Sequence, residues 1–447
     1  MKRWHIRKAR GLRGELTLPE DAAIGQVTLL LAALADTPSY VRVRTPRSDI
    51  LALASALRAL GVPVAQVDGG FRVAGVGLRG LKAPSGALSA GASETTLLYI
   101  ASLLSVQGFG TRVRTEAPLG DVSVRAWVLP LRARGLHIAG TERQDGELIA
   151  PVSVAPLLAE ETAHPVEIQI PRGDVQTKAA LLLTGLYADG VTAIEEGVMT
   201  ADHLERALVS LGLPVQTMGG MTLLDPAEGA LSFAGFKRQI PGDFGLAALL
   251  VAMASSVPGS DLVLRGVASN RSRTAYFDAL RSTGAQVDLL PKGDTEGHEP
   301  MADVRVRSAA LSSLRLSSEL AMRALDDVPA FVALVPAVRG RVSIRDVGRL
   351  RERPGRLLAR AVELLRAFGV DASEFDDGFD AERQGALRGA HVSADLPPSL
   401  KFAALSLALA AEGTSTLDAP DALDALYPGL KDALVGLGAS ITEEDVP

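Results

Sequence analysis

Apolar residues along this chain fall into stretches of two kinds. The first kind is apolar nearly all round, as in Leu29-Leu30-Leu31-Ala32-Ala33-Leu34 and Leu181-Leu182-Leu183. It predicts helices over about Thr28 to Leu34, Thr95 to Leu104, Lys178 to Tyr187, Leu246 to Ser255, Pro329 to Val338 and Lys401 to Ala411. With no polar face for solvent, such helices lie inside a layer. The second kind is amphipathic and stops at a glycine before a short apolar strand start. It reads Leu57-Arg58-Ala59-Leu60-Gly61-Val62 first and Leu434-Val435-Gly436-Leu437-Gly438-Ala439 last. The six glycines of this phrase, Gly61, Gly135, Gly212, Gly284, Gly369 and Gly438, lie 74, 77, 72, 85 and 69 residues apart. Glycine suits a helix end because it takes the left-handed conformation without strain. β-Branched runs after turn residues, such as Gly190-Val191-Thr192-Ala193-Ile194, read as strands.

Six units of this kind account for the whole chain, each with two helices and intervening strands. A buried and an amphipathic helix in every unit imply sheets with a covered face. The 447 residues leave room for two or three domains. Apolar residues make up 47% and aromatics only 4%, so aliphatic side chains fill the cores. The net charge of −6 argues against a nucleic-acid surface. The absence of cysteine excludes disulfides and thiolate chemistry. Six scattered histidines give no metal-ligand spacing, so no metal is expected. The basic start has no apolar core behind it, and no apolar stretch is long enough to span a bilayer. A cytoplasmic protein without nucleic-acid or membrane partners is expected. Gly75, Gly77 and Gly80 form a G-x-G-x-x-G, but another turn follows them where a dinucleotide fingerprint needs a helix, so no cofactor is expected.

Six such units resemble the enolpyruvyl transferase fold, and the detailed match is to the EPSP synthase family. Gly14-Glu15-Leu16-Thr17-Leu18-Pro19 is similar to the family's opening strand, Leu29 to Ala35 to its first buried helix, and Leu182 to Gly190 to its third repeat. Pro241-Gly242-Asp243-Phe244 fits the fourth repeat and Leu325-Asp326-Asp327-Val328-Pro329-Ala330 the fifth. The resemblance implies an inside-out α/β fold of six βαβαββ repeats, three per domain. Residues 1–18 and 241–447 would form one domain and 19–240 the other, with Pro-bearing crossings near Leu18-Pro19 and Ile240-Pro241.

The family joins phosphoenolpyruvate to shikimate-3-phosphate, and such anions call for fixed cations. At the corresponding positions this chain has Ala22 for a lysine and Val27, Leu98, Trp127 and Ser399 for arginines. It also has Ala425 for a lysine and Ala92 for an asparagine, while Glu94 replaces a glycine. Even five of these six lost charge-assisted contacts are worth on the order of 7–15 kcal/mol if additive. Other positions match. The resemblance makes Asp326 and Glu352 the acid/base carboxylates, and Gln176, Thr200 and Arg351 substrate contacts. Each also has a plain structural reading. Asp326 and Asp327 suit a helix start before Pro329, Glu352 suits a surface ion pair, and Gln176 and Thr200 suit capping. The acids from Asp371 to Asp380 read as a solvated turn.

Three functions follow as expectations. The first is a family member that has lost catalysis and keeps a binding or scaffold role, with a protein partner or small ligand in the interdomain cleft. The second is a 3-phosphoshikimate 1-carboxyvinyltransferase of the shikimate pathway. The third is an enzyme acting on a more apolar substrate that meets Val27, Leu98 and Trp127. Arg351 is expected to pair with Glu352, Asp326 or Glu94.

Overall fold

A computed structural model describes all residues except 1, 118, 121, 227–230, 293–298, 352–355 and 447. The chain divides into two compact units. One comprises Met1–Pro19, Pro241–Asp294 and Pro300–Pro447, the other Glu20–Ile240 and Thr295–Glu299.

Among the described residues, six four-stranded sheets carry the repeats. In the second repeat Leu88–Ser89 runs parallel to Thr111–Arg114. That strand pairs antiparallel with Leu148–Val154, which forms a hairpin with Ile138–Glu142. The third and fifth repeats follow the same order within their own sequence. The other three complete the pattern with strands borrowed from far along the chain. Lys237–Gln239 supplies the parallel edge beside Ser39–Arg42. Arg13–Thr17 does the same beside Asp261–Ala268. Lys2–Arg7 becomes the third strand, between Thr414–Asp418 and Ser440–Asp445.

The buried helices are Ala22–Leu34, Glu94–Leu104, Val175–Gly185, Phe244–Ser256, Val328–Leu334 and Pro398–Ala410. The last three pack on one another. In the other unit Glu94–Leu104 packs against both Ala22–Leu34 and Val175–Gly185. The first helix starts six residues before its apolar run because Asp21 caps it, accepting from the Ile24 amide. Ser93, Asp174 and Asp243 cap three others in the same way.

All six phrase glycines have a left-handed backbone, with φ from 76° at Gly212 to 107° at Gly438. At Gly135 (φ 88°) a Cβ would also sit 2.8 Å from the His164 ring. Gly135→Ala is expected to cost at least about 1–2 kcal/mol, read from urea unfolding; an unchanged midpoint would refute the helix-end argument. The neighbouring Arg134 is buried and fully engaged. Its guanidinium donates to the His164 and Leu181 carbonyls and to the Thr184 and Thr192 hydroxyls. Burial lowers its pKa to about 10, and the four acceptors fix the second repeat to the third.

Candidate functional site

The candidate residues fall on both units: Gln176 and Asp326 lie at or just before the starts of buried helices, Thr200 follows the strand Thr192–Glu196, and Arg351 ends the short helical turn Gly348–Arg351. In the 20–240 unit, the first turn of Ala22–Leu34 meets the start of Glu94–Leu104 through Gln26. The Gln26 amide donates to Ser93 Oγ at 3.0 Å and to Thr96 Oγ1 at 2.8 Å. It also reaches the Asp49 carbonyl at 3.3 Å. Val27, Leu98 and Trp127 are 1%, 3% and 2% exposed. The expectation of an apolar lining for a substrate is therefore corrected: these three side chains are core, and leave no apolar surface in water. An apolar side chain in this register gains more from burial than from facing solvent.

Gln176 sits half-buried in the first turn of Val175–Gly185. The cap there is Asp174, which accepts from the Thr177 amide and hydroxyl. Thr200 is 8% exposed, and its hydroxyl donates to Glu196 Oε1 at 2.6 Å. It caps no helix. Glu196 in turn lies 2.9 Å from the Lys178 amine, which also meets Glu205 at 2.6 Å. Burial opposes the charge on Lys178, but Glu205 and Glu196 outweigh it and hold the amine above its ordinary value. Sequence reasoning missed this triad. The available signal was a single lysine inside a run otherwise apolar all round, since a buried charge needs a partner.

In the other unit, Asp326 and Asp327 precede Val328–Leu334 with opposite exposure. The Asp326 side chain is 54% exposed and lies 3.7 Å from Arg273. Asp327 is fully buried, also 3.7 Å from Arg273, and neither of its carboxylate oxygens has a hydrogen-bond partner. Burial pushes its pKa up to about 7, with Arg273 pulling the other way and Asp326 and Asp243 adding to the rise. The Tyr276 hydroxyl is likewise buried without a partner, and is raised by burial and by Asp327. Asp327 makes no capping bond, so the helix-start reading does not describe its side chain.

Among the described residues, Arg351 pairs with neither Asp326 nor Glu94, two of the partners expected of it. It meets Glu374 at 2.7 Å and donates to the carbonyls of Phe375 and Asp376. The acidic run is a hairpin, Asp371–Phe375 with Gly378–Glu382, whose first strand supplies that carboxylate. Glu352 lies outside the described residues.

A family model for EPSP synthase (3-phosphoshikimate 1-carboxyvinyltransferase) matches residues 6–434. The chain belongs to the EPSP synthase family. A 3-phosphoshikimate 1-carboxyvinyltransferase of Pelotomaculum thermopropionicum is 33% identical over 96% of this chain and 97% of its own length. One from Acidithiobacillus ferrooxidans is 34% identical over 92% of each. Among solved structures, EPSP synthase of Acinetobacter baumannii matches with a TM-score of 0.87 at 25% identity, covering all of both chains. The enolpyruvyl transferase NikO of Streptomyces tendae shares the fold, with a TM-score of 0.75 at 17% identity over 100% of this chain and 99% of its own. The α/β fold of six repeats is thus the fold of EPSP synthases. Against it, the exposed carboxylate at Asp326 stands where the family resemblance puts an acid/base group. Thr200 and Arg351, assigned by the same resemblance to substrate, are engaged by carboxylates of this chain.

Proposed function

We infer that the chain performs its family's reaction, transfer of the carboxyvinyl group of phosphoenolpyruvate to shikimate-3-phosphate with release of phosphate. The observation that carries this is likeness at full length to relatives named for that activity, joined to an accessible carboxylate at Asp326 beside Arg273. Asp326 takes the acid/base role with Glu352 as its counterpart, and Gln176, Thr200 and Arg351 contact the substrates. Thr200 and Arg351 must exchange Glu196 and Glu374 for ligand oxygens. Neutral side chains stand at 22, 27, 98, 127, 399 and 425, so binding is weak. Turnover is expected to saturate only at about millimolar substrate.

A second reading is a family member without turnover. It is favoured by the Gln26 network, which joins the two loop-to-helix junctions that the resemblance assigns to anions. Phosphate release from a mixture of both substrates separates the two. Release that depends on shikimate-3-phosphate and is lost in Asp326→Ala supports transfer. No release, together with no growth of an aromatic auxotroph carrying this gene, supports the second reading.

A further inference from the structure

A concavity in the 20–240 unit lies at the far ends of the buried helices, away from their starts. It measures about 470 Å³ and takes in Asp36, just past the end of Ala22–Leu34, and Tyr187, just past the end of Val175–Gly185. A helix of 13 residues is about 20 Å long, so this cavity is remote from the helix starts that carry the candidate site. Its third wall is the glycine turn through Gly77 and Gly80, the G-x-G-x-x-G that the function leaves unused.

That turn is not built for a phosphate. The amides of Val76, Gly77 and Gly80 already donate to the carbonyls of Ala33, Ala35 and Gly77. It is held firmly instead. The Tyr187 hydroxyl donates to the Leu78 carbonyl at 2.7 Å, and a Cβ on Gly80 would meet the Val76 carbonyl oxygen at 1.8 Å.

Two opposite charges face this cavity unspent. Asp36 lies against the turn, since a Cβ on Gly77 would be 2.9 Å from its Oδ1, and Arg79 is two residues further on. Both are exposed, and among the described residues neither side chain makes a hydrogen bond or an ion pair. The two do not neutralise each other although they share one pocket. Helix ends carry partial negative charge, so the Asp36 side favours a cation. A guanidinium fork favours a carboxylate. Leu78, Leu186 and Leu231 also line the cavity.

We propose that this cavity binds a free α-amino acid with an apolar side chain, its ammonium at Asp36 and its carboxylate at Arg79. The volume lies within the roughly 300–1,000 Å³ of small-molecule sites. The proposal stands apart from the transferase reading, because no residue is shared. Calorimetric titration of the whole protein with L-phenylalanine and L-leucine tests it, with 3-phenylpropionate and 2-phenylethylamine as analogues lacking one charge. The expected result is binding of the amino acids and at least about tenfold weaker binding of both analogues. Asp36→Asn and Arg79→Gln should each weaken binding by at least about tenfold, with circular dichroism and melting unchanged. No heat with either amino acid up to about 10 mM overturns the proposal. So does an analogue that binds as tightly as the amino acid, or a double variant that binds like the parent.

Discussion

Replacing Asp327 with asparagine should stabilise the protein at pH 8 by about 2–4 kcal/mol, and by only about 1 kcal/mol at pH 5. The cause is the buried carboxyl's rise to about 7, imposed by burial against the pull of Arg273. In the unfolded chain the same group titrates near 4. Between these values the folded protein keeps a proton that the unfolded chain has released. Stability from this group is therefore whole below about pH 4 and lost as pH rises through 7. Asparagine has no charge to bury and removes that slope. Urea unfolding at both pH values reads it, and equal differences at pH 5 and pH 8 would refute the assignment. The groups that face Asp327, namely Arg273, Asp326, Asp243 and Tyr276, stay in place in the variant, so the comparison isolates one ionisation.

Lys178→Met should destabilise the protein by about 3–5 kcal/mol. Methionine fits the stem, but Glu196 and Glu205 are then left near each other without the lysine, Glu205 buried and the Glu196 side chain 9% exposed. Lys178→Met combined with Glu196→Gln and Glu205→Gln should recover most of the loss, because the penalty belongs to unpaired charge and not to volume. A single variant within about 1 kcal/mol of the parent would mean that the pair contributes little.

The repeat was legible because its signals are local. An all-round apolar helix and a helix-ending glycine phrase each lie within about a dozen residues and recur six times. Side-chain partnerships were not local. Gln26 finds Ser93 across 67 residues, and Arg351 finds Glu374 on a hairpin whose acids read as solvated. Family resemblance singled out Asp326 and passed over the difference in burial between it and Asp327, which depends on which side of one short helical turn faces inward. Val27, Leu98 and Trp127 were read as ligand-facing because their positions are so in the family. Here apolar side chains turn such positions into core.

The borrowed strands set an order of assembly. Residues 20–240 carry three complete sheets, so that unit has nearly all its parts once Ile240 has been made. Lys2–Arg7 pairs with Thr414–Asp418, synthesised more than 400 residues later. At about 5–20 residues per second the first strand waits roughly 20–80 s for its neighbours. For that time Lys2–Arg7 is an open strand edge tethered to a finished unit, and the unit that houses Asp327 closes only once Thr414–Asp418 and Ser440–Asp445 have been made.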